Sequence, residues 1–274
     1  METAKQGAAF WAPLSCVLPQ DCGYFGLVVW VQKVGVHMER VWVVIPAGGR
    51  GQRFGVAQAK QYVLLRDRPI IAHTLAAFLG EPRIAGIQLV LPGEDIATGT
   101  WRELLGPVPG PLLPPVVGGG LRADSVRLGL EALLRQGAVL SDWVLVHDAA
   151  RPCLRREDLL RLLESLADAP QGALLAVPVA DTLKRGEDGC SSGTVDREGL
   201  WRALTPQAFP LGALLAALEA ARAEHRQITD EASAMEAQGW RPRLIPGHGD
   251  NIKVTLSDDL MLAAAILAAR SEEG

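Results

Sequence analysis

A glycine-rich turn with cations close behind it spans residues 46–54, whose sequence is PAGGRGQRF. The turn follows an apolar run at 41–45, and glycines after a first strand let backbone N–H groups approach phosphates. It is not a Walker loop, because no Gly-Lys-Ser/Thr follows, and it lacks the third glycine of the dinucleotide fingerprint. Arg53 and Lys60 follow closely, which favours a bound triphosphate. The alternative is a tight β–α turn with Lys60 as a solvated surface lysine.

A triple glycine, Gly118–Gly120, opens a predicted helix within the sequence VGGGLRADSV. Backbone without side chains packs well against a flat ligand such as a nucleobase. Main-chain groups and Ser125 would then discriminate the base. A flexible hinge before the helix explains the same pattern equally well.

A third cluster, HDAARP at 147–152, follows the predicted strand at 143–146. Ligands of open α/β sheets bind outside the carboxyl ends of the strands. Asp148 is therefore the best candidate for a carboxylate that contacts a magnesium ion or a ribose. His147 is more typical of a structural hydrogen-bonding residue than of a catalyst.

Hydroxyl groups stand beside cations or other polar groups in five further segments. The segments are DTLKR at 181–185, TVDR at 194–197, TPQ at 205–207, TDEAS at 229–233 and NIKVT at 251–255. Each alone could be a capped loop. Together they favour a site for a phosphate monoester.

Short apolar runs alternate with amphipathic segments after Met38, which predicts a mostly parallel, doubly wound α/β sheet. The predicted strands are 41–45, 87–91, 143–146, 174–177 and 243–245. The predicted helices include 123–134, 156–167 and 211–223. Residues 106–120 are rich in proline and glycine and are predicted to be a loop. The polar segment 181–205 is predicted to leave the sheet.

Composition limits the classes of partner. The 274 residues carry a net charge of −4, which gives no basic field for a nucleic acid. The four cysteines have no zinc-site spacing, so we expect free thiols in a reducing cytoplasm. The apolar stretch at 24–31 is too short to span a bilayer, so we expect no membrane association. Residues 1–37 are predicted to be a disordered extension ahead of one domain at 38–270.

The ordered blocks PAGGRGQRF, KQY, GGGLRADSV, HDAARPCL, DTLKR, TVDR, LWRALTPQ, TDEASAMEAQG and NIKVT resemble the 2-C-methyl-D-erythritol 4-phosphate cytidylyltransferase family of the non-mevalonate isoprenoid pathway. The resemblance covers nearly everything after Met38. It implies a Rossmann-like nucleotidyltransferase fold, CTP and a small sugar-alcohol phosphate as substrates, magnesium, and a homodimer. The arm at about 179–201 would reach over the dimer partner.

The resemblance also assigns roles to residues. The catalytic positions match Arg53, Lys60, Arg197 and Lys253. The acceptor phosphate would be held by Thr182, Arg197, Thr229 and Lys253. With the glycine segments, the predicted nucleotide-binding residues are Ala47, Gly48, Gly49, Gly51, Gly119, Gly120, Arg122, Ser125, Asp148 and Arg151. Asp148 is also the candidate metal ligand.

Two positions depart from the family pattern. Ala59 stands where members usually have proline, which reduces loop rigidity, and Gly120 stands where an acidic residue is frequent.

Two other functions are alternatives to this one. A ribitol-phosphate cytidylyltransferase would share the chemistry but usually departs from the HDAAR and TDEAS blocks. A non-catalytic nucleotide-binding regulator would have no reason to keep Lys60, Arg197 and Lys253 together.

Overall fold

The computed structural model describes residues 40–48, 59–108 and 110–272. The predicted extension at 1–37 lies outside the described residues. So do three predicted site residues of the glycine-rich turn, Gly49, Gly51 and Arg53.

Eleven strands are found within the described residues. They are β1 (Val41–Pro46), β2 (Leu64–Leu65), β3 (Arg68–Pro69), β4 (Ile84–Leu91), β5 (Val116–Val117), β6 (Trp143–Val146), β7 (Ala173–Pro178), β8 (Leu183–Glu187), β9 (Cys190–Val195), β10 (Trp201–Pro210) and β11 (Arg243–Pro246). Seven of them form the central sheet, in the order β11-β7-β10-β6-β1-β4-β5. Only β10 runs antiparallel to its neighbours β6 and β7, which confirms the predicted mostly parallel sheet.

Helices cover both faces of this sheet. They are α1 (Ile70–Ala76), α2 (Gly93–Thr98), α3 (Thr100–Leu105), α4 (Arg122–Arg135), α5 (Arg156–Ser165), α6 (Leu211–Ala223), α7 (Glu231–Ala237) and α8 (Ser257–Glu272). On β1, Val43 and Ile45 pack in the core that α1 and α5 close, whereas Val44 packs in the core of α4, α6 and α7. Both faces of the strand are therefore buried, which explains its continuous apolar sequence.

The last helix, α8, packs in a small core separate from the two cores on the faces of the sheet. Its buried residue Ala263 shares a small core with Leu65, Cys153 and Val254. This contact ties the segment just before α8 to the loop that follows β6, and both segments contribute to the site described below.

Two predicted loops contain regular structure. The segment 181–205 does leave the sheet as the exposed hairpin β8–β9. The excursion from the sheet ends before residue 201, where β10 begins. Residues Leu204 to Phe209 of β10 are buried. The segment 106–120 includes β5, which pairs with the end of β4. The segment 106–120 is rich in proline and the segment 181–205 in polar residues, so their local patterns predict loops. β5 and β10 form because they pair with strands that are distant in sequence.

None of the described helices combines the length and hydrophobicity that a membrane crossing requires. Cys153 is a buried free thiol and Cys190 is an exposed one. The other two cysteines, Cys16 and Cys22, lie outside the described residues.

Candidate active site

A cleft of about 250 Å³ opens where the carboxyl ends of β1, β4, β5 and β6 meet. Parallel strands bring the loops that follow them to one edge, so distant sequence blocks converge there. The cleft is lined by Pro46, Ala47, Gly48, Lys60, Gln61, Gly119, Gly120, Leu121, Arg122, Ser125, Asp148, Ala149, Ala150 and Lys253. The structure thus brings together most of the predicted nucleotide-binding residues that it describes.

The glycines of the second block are needed for close packing. A Cβ atom on Gly118 would come within 2.8 Å of Ser125 Oγ, and one on Gly119 within 2.4 Å of Asp124 Cβ. The Ser125 hydroxyl accepts a hydrogen bond from Gly119 N and donates one to Leu121 O, each at 3.1 Å. Ser125 therefore fixes the shape of the glycine loop. No described residue lies within 4 Å of a Cβ atom placed on Gly120, so an acidic side chain there would displace none of them.

Lys60 begins the short 3₁₀ turn Lys60–Tyr62, whose other two residues are buried. The buried side chains anchor the turn, and Lys60 lines the cleft. Ala59 has a φ of −59°, close to the value that a proline ring imposes. The absence of the usual proline therefore leaves the backbone direction ahead of Lys60 unchanged.

Asp148 is the centre of the charge arrangement. Its Oδ1 accepts from Arg122 Nε at 2.9 Å, and its Oδ2 lies 2.9 Å from Lys253 Nζ and 3.4 Å from Arg151 Nε. Burial alone would raise the pKa of Asp148, but the cations Arg122, Lys253 and Arg151 outweigh it and hold the pKa well below its usual range. Asp148 is therefore a carboxylate at any working pH, and it orients cations at the cleft floor.

Arg122 is held from both ends. Its Nη1 and Nη2 donate to Glu231 Oε1 and Oε2 at 2.6 and 3.1 Å, while its Nε donates to Asp148. Burial opposes the charge, yet Glu231 and Asp148 together raise the pKa of Arg122 above its ordinary value. The predicted nucleotide-binding arginine is thus also a bridge from α4 to α7. Glu231 has no role in the sequence-based site.

Backbone and amide contacts fix the segment that carries Lys253. Asn251 Nδ2 donates to Thr205 O at 2.7 Å, and Arg151 Nη1 donates to Asn251 O at 2.8 Å. Val254 N donates to Ala150 O at 2.8 Å. These bonds join NIKVT, HDAAR and LTPQ, so Lys253 reaches Asp148 from a fixed backbone.

A second cavity of about 200 Å³ lies on the other side of this charge cluster. It is lined by Arg122, Asp148, Arg151, Ala203, Leu204, Thr205, Gln207, Thr229, Asp230 and Lys253. Arg122, Asp148 and Lys253 line both cavities and form a partition between them. Arg151, predicted on the nucleotide side, lines this second cavity and not the cleft, as does the predicted acceptor-phosphate residue Thr229.

The two predicted arm residues, Thr182 and Arg197, line neither cavity in the described part of the chain. Thr182 precedes β8 and Arg197 follows β9, and both are exposed. Arg197 Nη1 donates to Ala180 O within the arm.

His147 is buried and bonded on both ring nitrogens. Its Nε2 lies 3.1 Å from Arg151 O, which can only accept, and its Nδ1 lies 2.9 Å from Thr205 Oγ1. The neutral ring therefore donates from Nε2 and accepts at Nδ1 from the hydroxyl. Burial is the main cause that lowers the pKa of His147 to about 4. The predicted structural role fits this geometry.

Acid should destabilise the fold through His147. A pKa lowered from 6.5 to about 4 stabilises the fold fully above pH 6.5, and this contribution is lost as pH falls towards 4. The expected loss is roughly 3 kcal/mol of unfolding free energy. Denaturant unfolding between pH 7 and 4 measures it. His147→Gln should flatten the pH dependence, whereas His225→Gln, a change at an exposed histidine, should not. An unchanged slope in His147→Gln contradicts the assignment.

Residues for a resident metal ion are scarce at this site. Within the described parts of the chain there is no group of three or more His, Cys, Asp or Glu side chains placed to hold an ion. Both oxygens of Asp148 already face cations. A magnesium ion held by the protein alone does not fit this donor set, and a direct bond from Asp148 stays a prediction.

Comparison with known proteins gives one consistent result. Residues 41–269 match the family model of 2-C-methyl-D-erythritol 4-phosphate cytidylyltransferase, IspD. A protein of that name from Acidithiobacillus ferrooxidans is 96% identical over 237 residues, which is 86% of this chain and 100% of that protein. Another from Ectopseudomonas mendocina is 50% identical over 81% of this chain and 93% of its own length.

Solved structures agree. The crystal structure of a 4-diphosphocytidyl-2C-methyl-D-erythritol synthase is 40% identical with a TM-score of 0.71, over 84% of this chain and 99% of that one. The Francisella tularensis 2-C-methyl-D-erythritol 4-phosphate cytidylyltransferase is 31% identical with a TM-score of 0.72, over 83% and 99% of the two chains. The nucleotidyltransferase fold expected from the sequence is confirmed.

Proposed function

Because the chain belongs to the 2-C-methyl-D-erythritol 4-phosphate cytidylyltransferase family, we propose that it transfers a cytidylyl group from CTP to 2-C-methyl-D-erythritol 4-phosphate in isoprenoid biosynthesis. The acceptor's phosphate oxygen forms a bond to the α-phosphorus of CTP, the bond from that phosphorus to the β-phosphate oxygen breaks, and pyrophosphate leaves. Atoms and charge balance without any proton transfer. A phosphate monoester has a second pKa near 6, so its dianion is already a nucleophile at pH 7.

The observation that carries the proposal is the partition between the two cavities. Arg122, Asp148 and Lys253 line both, so two phosphate-bearing ligands, one in each cavity, would meet at Lys253. Positioning and charge stabilisation supply most of the catalysis of phosphoryl-type transfers. The 250 Å³ cleft with its glycine loop suits the nucleotide, and the smaller cavity with Thr229 and Arg151 suits the acceptor.

Lys60 and Lys253 have the central electrostatic role in this mechanism. Both ammonium groups belong to residues that line the nucleotide cleft, where negative charge builds up on the oxygens of the α-phosphorus. Arg53 of the glycine-rich turn is proposed to share this role. Asp148 keeps Lys253 in place before the nucleotide binds.

Magnesium is proposed to enter with the nucleotide, as the counter-ion of its triphosphate. This agrees with the general preference of Mg²⁺ for substrate phosphates and water over all-protein cages. It also agrees with the lack of a protein-only ligand set among the described residues.

The protein is further proposed to act as a cytoplasmic homodimer. The hairpin β8–β9 is exposed except at the half-buried Val195, and it carries Lys184, Arg185 and, just beyond it, Arg197. An exposed arm with phosphate-binding residue types suits delivery of Thr182 and Arg197 to the acceptor cavity of a partner subunit.

Pyrophosphate release tests the substrates. With CTP, we expect release to depend on 2-C-methyl-D-erythritol 4-phosphate and to be far slower with ribitol 5-phosphate. ATP and GTP should be poor donors, since we expect main-chain groups of the glycine loop at 118–120 to recognise cytosine. Equal kcat/KM for ATP, or a preference for ribitol 5-phosphate, contradicts the corresponding assignment.

A further inference from the structure

Glu231 stands out among the buried carboxylates near the site. It is the first residue of α7, it is only 1% exposed, and it lines neither of the two cavities. Its two oxygens accept from both terminal nitrogens of Arg122, the fork geometry that arginine makes best with a carboxylate. The contact joins residues 109 positions apart in the chain.

The position of this fork gives it a consequence for the site. Arg122 lines both cavities, so a guanidinium that could swing would meet phosphate oxygens on either side. Held from behind by Glu231, it instead presents Nε to Asp148. Asp148 in turn meets Lys253 through its other oxygen. The order of contacts is therefore Glu231, Arg122, Asp148, Lys253.

The charges around the partition also indicate that Glu231 limits the pairing of Arg122 with bound anions. Three cations, Arg122, Arg151 and Lys253, are ion-paired with two carboxylates, Asp148 and Glu231. Asp230 is a further carboxylate that lines the second cavity. Without the charge of Glu231, the site would be more positive by one unit, and the two terminal nitrogens of Arg122 would be available to a bound polyanion. Tighter binding of phosphates in the ground state does not accelerate the reaction. Only interactions that are stronger in the transition state than in the ground state raise kcat.

We propose that Glu231 is a positioning residue that restrains Arg122 from pairing with substrate phosphates and thereby keeps Asp148 aligned on Lys253. The inference rests on the proposed transferase function. It predicts opposite changes in anion affinity and turnover, which a merely structural role for Glu231 would not produce.

Glu231→Gln is the direct test, since the amide keeps the shape but loses the charge and one acceptor. Inorganic pyrophosphate, titrated by calorimetry, should bind about tenfold more tightly because Arg122 gains charge-assisted bonds to it. At saturating substrates, kcat should fall about 10- to 100-fold through misalignment. The matched control is Glu236→Gln on the exposed face of the same helix, which should change neither quantity.

A double-mutant cycle shows whether Glu231 acts through Arg122. In an Arg122→Met background, Glu231→Gln should have no further effect on pyrophosphate affinity or kcat. Unchanged kcat in Glu231→Gln, weaker pyrophosphate binding, or full additivity in the cycle overturns the proposal. Failure of the proposed function would appear differently, as absent turnover in the unsubstituted enzyme, and the pyrophosphate titrations would still decide the role of Glu231.

Discussion

Lys253→Ala should lower kcat by roughly 10²–10³-fold, the usual cost of losing one preorganised group that stabilises transition-state charge. Lys253 Nζ lies 2.9 Å from Asp148 Oδ2, and the residue lines both cavities, so its charge is placed where the two substrates meet. The substitution also leaves Asp148 paired with Arg122 and Arg151, which keeps the buried carboxylate compensated. The fold should therefore survive the change.

Steady-state kinetics with each substrate varied in turn measures this effect. Lys60→Ala, which removes a second cation that lines the cleft, should cause a loss of similar size. Arg226→Ala removes an exposed cation that pairs only with nearby Glu224 in the described structure, and it should leave kcat unchanged. A Lys253→Ala enzyme with wild-type kcat, or one that loses activity only because its melting temperature collapses, contradicts the assignment.

Mixing two inactive variants should restore activity if the arm serves the partner's site. Lys60→Ala disables the cleft of its own subunit, whereas Arg197→Ala would disable the cleft of the other subunit. In a hybrid dimer, one cleft keeps Lys60 and receives an intact Arg197. With free exchange of subunits, an equal mixture should reach about a quarter of wild-type activity, since half of the dimers are hybrids with one working site.

Exchange itself must be shown, for example with subunits that carry different affinity tags. The control is a mixture of Lys60→Ala with Lys253→Ala, because both changes lie in the same cleft. In those hybrids one cleft lacks Lys60 and the other lacks Lys253, so no site is repaired. Demonstrated exchange with no recovery in the Lys60→Ala and Arg197→Ala mixture would assign Arg197 to its own subunit or to no site.

The sequence predicted the sheet best where strands are buried on both faces. The run 143–146 matches β6, and 243–245 falls one residue short of β11. β10 was missed because it holds two prolines and begins with exposed residues, so its local pattern resembles a loop. It becomes a strand through its antiparallel neighbours β6 and β7, which lie far away in sequence.

The site likewise has residues that local motifs predict and one that they do not. Lys60, Asp148 and Lys253 were predicted from motifs and do line one cleft. Glu231 was not, because an acidic residue in the first turn of a helix is adequately explained by the helix dipole. Its pairing with Arg122 depends on how α4 and α7 pack, which no local pattern contains.

³¹P NMR of a reaction containing CTP, magnesium and 2-C-methyl-D-erythritol 4-phosphate tests the proposed cytidylyl transfer most directly. The monoester resonance should disappear while two coupled diphosphate resonances and inorganic pyrophosphate grow in equal amounts. That pattern requires a new bond between the acceptor phosphate and the α-phosphorus. An unchanged monoester resonance, with CTP either intact or hydrolysed to CMP and pyrophosphate, would contradict it.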